Sequence, residues 1–121
     1  MNTSPSNATK VADLLERAAG HIDRVGWTQG DWYEETPGLQ PKDCPACADG
    51  ALAVAAYGRP RGAGAHRTPD QVALYAAAMT ALSRHIGDGL IAWNDDEART
   101  KEQVVGAMRS AAAEQRKQVA S

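Results

Sequence analysis

Two cysteines stand three positions apart in the segment Cys44-Pro45-Ala46-Cys47, a spacing that brings two sulfur atoms close together. If a helix begins here, its unpaired backbone N–H groups and its dipole stabilise a thiolate in the first turn. Such a pair suits three roles. It can carry out thiol–disulfide chemistry, or supply half of a tetrahedral zinc site, or do no chemistry, with Cys47 packed as a small buried residue.

The zinc interpretation needs further ligands, because one C-x-x-C supplies only two of the four. The histidines are His21, His66 and His85, and the predicted metal set is Cys44, Cys47 and His66. The sequence lacks a second C-x-x-C or a closely spaced histidine pair. Redox chemistry of the thioredoxin kind normally lies in a βαβ context, which is also absent. These gaps favour the structural role for the cysteines.

Cysteine catalysis needs a histidine base and a residue that orients it. Cys47, His85 and either Asn94 or Asp95 supply the residue types. Any chain with two cysteines and three histidines offers a set of this kind. We therefore predict no catalytic residue, and we expect His85 to be structural.

Two charged segments contain residue types that could bind a ligand. The oxygen-rich run 94–97 suits a hard cation, but its spacing is not that of a calcium loop, and a capped helical turn is the favoured interpretation. The Arg- and Gly-rich segment 59–67 suits a phosphate, but it lacks the Lys-Ser/Thr of a P-loop. We expect that segment to be a solvated, mobile loop.

The composition limits what these residues can be built into. The chain has 121 residues, of which 24 are Ala, 17 are Leu, Ile or Val, and none is Phe. These numbers predict a thin core of closely packed helices. The formal net charge of −2 excludes a strongly basic nucleic-acid module. No apolar run approaches ~18 residues, and the N-terminus is polar, so we expect a cytoplasmic chain with no membrane partner.

Helical periodicity is clearest in the first element. One apolar face contains Val11, Leu14, Leu15, Ala18, Ile22 and Val25. Asn7 or Thr9 is a candidate N-cap, and Gly26 is a fitting stop. Residues 27–43 have no periodicity and predict an irregular loop held by its aromatic side chains.

A second helix is predicted from Cys44 to Tyr57, with Asp43 as its N-cap and Gly58 as its stop. Its small residues, Gly50 among them, would let a neighbouring element come close.

Two capping boxes predict the remaining long helices. Thr68 with Gln71 begins the third helix, which ends at Gly87 and is expected to be central. Thr100 with Gln103 begins the fourth. Between them, 90–99 is a connector in which Leu90, Ile91 and Trp93 form a buried anchor and Asn94 or Asp95 caps a turn. The predicted fold is an all-α bundle of about four helices, with a flexible tail at 1–8, one domain at 9–116 and a frayed end at 117–121.

Three short motifs occur in a distinctive order. They are Gly26-Trp27-Thr28-Gln29-Gly30, Cys47-Ala48-x-Gly50-Ala51, and Trp93-Asn94-Asp95 followed by Arg99-Thr100. Together they resemble a family of small actinobacterial and actinophage proteins of unknown function, over roughly residues 11–114. The resemblance implies a compact helical domain with no established activity. It also implies one structural or binding centre that contains Trp27, Gln29, Cys47, Gly50, Trp93, Asn94 and Asp95. It gives no support to Cys44.

These observations lead to two hypotheses of different classes. The first is a non-enzymatic interaction or regulatory module that binds a partner protein and no nucleic acid. The second is a thiol or zinc site built on Cys44 and Cys47. Because alanine-rich faces pack closely and the core is thin, a homo-oligomer is compatible with either hypothesis.

Overall fold

The computed structural model describes the backbone of residues 4–60 and 67–120, with side chains for 7–60 and 67–118. Within these ranges the chain forms five α-helices, one 3₁₀ turn (Pro41–Asp43) and no strand. The helices are α1 (Ser4–Val25), α2 (Ala48–Tyr57), α3 (Pro69–Ile86), α4 (Leu90–Asn94) and α5 (Lys101–Ala120). The predicted all-α fold of four long helices is confirmed. None of the described helices combines the length and apolar character of a membrane-spanning segment.

The first helix is the spine of the bundle. Leu14, Leu15 and Ile22 on its predicted apolar face are fully buried, and α2, α3 and α5 all pack against it. Each such side chain stabilises the fold by roughly 1.5–3 kcal/mol when fully buried. The predicted stop is correct: α1 ends at Val25, and Gly26 adopts a positive φ of 127°.

The first helix begins earlier than predicted. It starts at Ser4, so Asn7 and Thr9 lie inside the helix and do not cap it. The additional turn places Ala8 in the core, and that burial favours the longer helix. At the other terminus α5 continues to Ala120, beyond the predicted domain end. Residues 1–3 and 121 lie outside the described residues, and the flexibility of both ends stays a prediction.

Both capping boxes are confirmed. The Thr68 side chain accepts a hydrogen bond from the Gln71 backbone N–H at 3.1 Å, and the Gln71 side chain accepts one from the Thr68 N–H at 2.8 Å. Thr100 and Gln103 make the same reciprocal pair at 3.2 and 3.0 Å. These bonds satisfy backbone donors that have no partner inside a helix.

The prediction that the third helix is central is wrong. Only Ala78 and Leu82 of α3 are buried, and Val72 in its first half is 42% exposed. Five of its eighteen residues are alanines, which have little surface to bury wherever they point. The long aliphatic side chains of α1 decide which helix occupies the centre.

The start of the second helix is also corrected. Asp43 belongs to the 3₁₀ turn, and α2 begins at Ala48 with Cys47 as its N-cap. Cys44 is extended, at φ −95° and ψ 155°. The proline at position 45 explains this conformation, since its ring disfavours helical geometry in the preceding residue. Gly58 ends the helix in the left-handed conformation, as predicted.

Backbone pairing holds the predicted aromatic loop. The Thr28 N–H donates to the Ala46 carbonyl at 3.2 Å, and the Ala46 N–H donates to the Gly26 carbonyl at 3.2 Å. Tyr33 forms a second isolated bridge with Ala46. The loop is therefore tied to the segment before α2 without forming a strand.

The connector contains one helical turn, α4. Leu90 is buried at its start, as predicted, but Ile91 is 62% exposed, so the prediction that Ile91 is a buried anchor is wrong. Asn94 is the last residue of α4 and does not cap a following turn.

His21 ties the loop to the spine. It is buried on α1, and its Nε2 lies 3.1 Å from the Cys44 carbonyl oxygen. Because a carbonyl oxygen only accepts, Nε2 carries a hydrogen and donates it. Burial lowers the pKa of His21 below 6.5, although the bond to Cys44 acts in the opposite direction.

We predict that His21 makes stability depend on pH. Its pKa is lower in the folded than in the unfolded chain, so its contribution is complete above about pH 6.5 and declines as pH falls below that value. His21→Gln keeps a neutral donor. Between about pH 7 and 5, the free energy of unfolding measured in urea should therefore fall less for this variant than for wild type. The difference in slope should reach at most about 1.4 kcal/mol per pH unit. Equal slopes for both proteins would contradict the prediction.

Candidate functional site

The buried side chain of Asn94 joins three segments that are distant in the sequence. Its Oδ1 accepts hydrogen bonds from Trp27 Nε1 at 2.8 Å and from the Ala48 backbone N–H at 2.9 Å. Its Nδ2 donates to the Thr28 carbonyl at 3.2 Å and to Asp95 Oδ1 at 2.9 Å. These four bonds use the whole hydrogen-bonding capacity of a carboxamide. We call these five residues the Asn94 hub.

The hub also completes the start of α2. Ala48 is the first residue of that helix, and its N–H has no acceptor within the helix. Asn94 supplies that acceptor from α4, while Cys47 Sγ accepts from the Gly50 N–H at 3.3 Å. Two residues from different elements thus cap one helix.

Further hydrogen bonds clip the loop to the end of α4. Gln29 Nε2 donates to the Asn94 carbonyl at 3.0 Å and to the Asp96 carbonyl at 2.8 Å. The Gly30 N–H donates to Asp95 Oδ1 at 3.0 Å. The structure therefore brings Trp27, Gln29, Asn94 and Asp95 of the predicted centre into direct contact.

Gly50 permits the closest approach in this region. A Cβ atom added at this position would lie 2.1 Å from the Trp32 carbonyl oxygen. That carbonyl accepts from the Cys47 N–H at 3.1 Å. The loop thus passes directly over the first turn of α2, as the small residue at position 50 predicts.

Trp93 contributes differently from the other predicted residues. The Arg99 guanidinium lies 4.1 Å from the centre of its ring, and Arg99 Nε donates to the Trp93 carbonyl at 2.9 Å. This pair connects the end of α4 with the start of α5. Both parts of the third motif, Trp93-Asn94-Asp95 and Arg99-Thr100, therefore have a structural role.

The structure separates the two cysteines. Cys44 Sγ donates to the Gln40 carbonyl at 3.3 Å, Cys47 Sγ caps α2, and the two are not at disulfide distance. Burial raises the pKa of the Cys47 thiol above its usual range. The thiol is therefore neutral at physiological pH, which does not suit a nucleophile.

Neither the predicted metal set nor the candidate catalytic set considered above is assembled among the described residues. Among the described residues no cluster of three His, Cys, Asp or Glu side chains has a geometry that holds a metal ion. His66, the third predicted zinc ligand, lies outside the described residues. His85 pairs with Glu114 at 2.8 Å between α3 and α5, and so it does not serve Cys47 as a base.

The structure describes the charged segment 94–97 and part of the charged segment 59–67. Asp96 accepts a local hydrogen bond from the Ala98 N–H at 2.9 Å, as expected for a carboxylate at a turn, whereas Asp95 accepts one from the distant Gly30 N–H. Residues 61–66 of the Arg- and Gly-rich segment lie outside the described residues. Within the remainder, the Arg67 guanidinium lies 5.9 Å from the centre of the Tyr57 ring.

Beside the hub lies an open cavity of about 280 Å³. Three carboxylates and three apolar side chains line most of it: Asp31, Asp49, Asp95, Trp32, Leu90 and Ile91. Cys47 and Asn94 border it. We call it the acidic cavity.

Most of this cavity is not predicted by the sequence motifs. Asp31, Trp32 and Asp49 belong to no motif used above, and they meet only because the loop crosses α2. Asp49 is buried and accepts a hydrogen bond from the Tyr75 hydroxyl of α3. Desolvation raises the pKa of Asp49. The sequence signal that could have found Asp49 is a single acidic residue among the small residues of the second helix.

A family model described as "Family of unknown function (DUF6197)" matches residues 6–114, which is most of the chain. The chain belongs to this family. No curated protein and no solved structure matches it significantly. The match confirms membership of a family of unknown function, and it leaves the lineage and the three motifs as predictions.

For this DUF6197 protein, we predict opposite effects of alanine at two glycines. Gly50→Ala should lower the free energy of unfolding by about 1–3 kcal/mol, because the new methyl group displaces the Trp32 carbonyl. Gly106→Ala should raise it by about 0.5–1 kcal/mol, since the added methyl group meets no atom within 4 Å beyond the neighbouring backbone of α5 and alanine favours helices. Chemical denaturation measures both. Equal effects would show that the loop does not press on α2.

We also predict that Cys47 acts as a helix cap. Cys47→Ser keeps an acceptor for the Gly50 N–H, whereas Cys47→Ala removes it. In urea unfolding, Cys47→Ser should therefore be more stable than Cys47→Ala by about 0.5–2 kcal/mol. If alanine is tolerated as well as serine, the Sγ contact contributes nothing to the stability of this DUF6197 chain.

Proposed function

We propose that this protein is a non-enzymatic interaction module, and that a partner protein docks at the acidic cavity. The observation that carries the proposal is the exposed Ile91 beside the carboxylates of that cavity. Ile91 has the largest exposed fraction among the described large hydrophobic residues. Its side chain belongs to α4, which the hub holds in place.

The chemistry of the neighbouring residues supports binding over turnover. The four polar atoms that Asn94 contacts hold the loop, α2 and α4 together. Cys47 is a helix cap with a raised thiol pKa. Asn94 and Cys47 thus use their polar atoms in structural hydrogen bonds. They border the acidic cavity, whose walls these bonds hold in position.

The size of the cavity limits what can enter. A volume of about 280 Å³ lies just below the range of small-molecule sites, which is roughly 300–1,000 Å³. A side chain from a protein surface fits this volume, with the remaining contacts made on the rim around Ile91. An anchor side chain seated in a pocket from which water is excluded is typical of binding hot spots.

The thiol or zinc alternative has no comparable support. The described residues hold no metal cluster, and the two cysteines are not at disulfide distance. An actinobacterial or phage origin and a cytoplasmic location remain part of the proposal, resting on the sequence motifs and composition.

We expect a substitution at Ile91 to abolish partner binding without unfolding the protein. The protein is immobilised, and a lysate of the organism that encodes it is passed over wild type, Ile91→Ser and Val72→Ser. A protein captured by wild type is then purified and its affinity measured by calorimetry. Ile91→Ser should weaken it about tenfold or more, as loss of a hot spot does.

The Val72→Ser variant is the matched control, because Val72 is also exposed but lies on α3, away from the cavity. It should bind as wild type does. A partner that binds both variants equally would place docking elsewhere. If no protein is retained above the blank support, the proposal fails. A second copy of this chain would be recovered as a homo-oligomer whose affinity depends on Ile91.

A further inference from the structure

The acidic cavity holds three carboxylates without a cation. Asp31, Asp49 and Asp95 take part in none of the ion pairs among the described residues. No lysine, arginine or histidine lines the cavity within that part of the chain. Three negative charges around one opening attract a positive group electrostatically, more strongly where solvent is partly excluded.

Asp49 is the group that points to a ligand. It is only 5% exposed, and it lines the cavity. The Tyr75 hydroxyl donates to its Oδ1, and no hydrogen bond within the described residues reaches Oδ2. Burial and the carboxylate of Asp49 both raise the pKa of Tyr75, so the hydroxyl stays protonated as a donor. One oxygen of a buried carboxylate is therefore available for a donor from outside.

The other carboxylates are also only partly used. Asp31 Oδ1 accepts from the Trp32 N–H at 2.8 Å, and Asp95 Oδ1 accepts from Gly30 and Asn94. In each case the described bonds go to Oδ1 alone. The backbone thus fixes both carboxylates in position while leaving a second oxygen on each.

An organic cation fits these walls better than a metal ion does. The described residues contain no cluster of three His, Cys, Asp or Glu groups close enough for coordination. A guanidinium or ammonium group spreads several donors and tolerates wider spacing. Trp32 adds an indole, the aromatic group that attracts cations best. The exposed Ile91 offers an apolar surface to the aliphatic stem of a lysine or arginine.

We propose that the acidic cavity receives an arginine or lysine side chain of the partner protein, with its cationic head directed at the free oxygen of Asp49. This inference rests on the proposed function and specifies the chemistry of the partner: a basic surface segment.

The test uses the whole protein and a minimal probe. N-acetyl-arginine amide is titrated into the ¹⁵N-labelled chain, with N-acetyl-lysine amide as the second cation and N-acetyl-citrulline amide as the neutral isostere. The cations should shift the amide signals of Gly30, Asp49 and Ile91, and citrulline should not. Raising the ionic strength from about 0.01 to about 0.15 M should weaken the effect, because the Debye length falls from roughly 30 to roughly 8 Å.

Charge-neutral variants locate the site. Asp49→Asn should weaken binding of the arginine probe about tenfold, the loss of one charge-assisted hydrogen bond. The asparagine can still accept a hydrogen bond from Tyr75, and the substitution removes a carboxylate whose burial is unfavourable. We therefore expect this variant to fold. Glu97→Gln makes the same change in charge on the exposed connector, and it should leave the affinity unchanged.

The outcomes separate this inference from the proposed function. If neither cation shifts the cavity signals, or if citrulline shifts them equally, the basic-side-chain inference is wrong. Shifts that persist in Asp49→Asn and vanish in Glu97→Gln would also overturn it. A captured partner that depends on Ile91 would then leave the interaction function standing, with an occupant of different chemistry. Loss of that partner in Asp49→Asn would support both.

Discussion

The arrangement of the site depends on one buried carboxamide. The indole of Trp27 and the N–H of Ala48 share the Oδ1 of Asn94, although they lie 67 and 46 residues away from it in the sequence. Each would be left as an unpaired donor without Asn94, at a cost of about 1–3 kcal/mol. Because Nδ2 also holds the Thr28 carbonyl, the same side chain sets the path of the loop, and through it the walls of the cavity.

This polar interaction matters because the apolar core is thin. The chain contains 24 alanines and no phenylalanine, and only a few long side chains, such as Leu14 and Ile22, fill the centre. Alanine allows helices to approach closely but buries little surface per residue. Non-directional packing of this kind specifies the position of an irregular loop poorly. Hydrogen bonds at the hub and at His21 supply the directional contacts that the core lacks.

The parts of the fold that could be predicted are those with local chemistry. The capping boxes at Thr68 and Thr100 and the glycine at position 87 mark helix ends through bonds between near neighbours, so periodicity and spacing reveal them. The start of α2 could not be predicted in this way. Pro45 is compatible with a first helical turn as well as with an extended segment, and the pairing of Ala46 with the loop decides between them. Long-range pairing leaves no pattern within a short window of sequence.

The residues of the site also differ in whether a local sequence pattern predicts them. The motifs contain Trp27 and Asn94, whose roles in the hub require those side chains, and so the sequence pointed to them. Asp31 and Asp49 join the cavity only through the crossing of the loop over Gly50. The glycine predicts that some element comes close, but it does not identify the segment or the carboxylates that this segment brings. A binding site that lies next to a rigid hub has a physical advantage, since walls already fixed by hydrogen bonds lose little conformational entropy when a ligand enters. Apart from Asp95, which belongs to both sets, the residues that hold the site are thus distinct from the carboxylates that would contact the partner. This division explains why the motif residues alone did not reveal the chemistry of the opening.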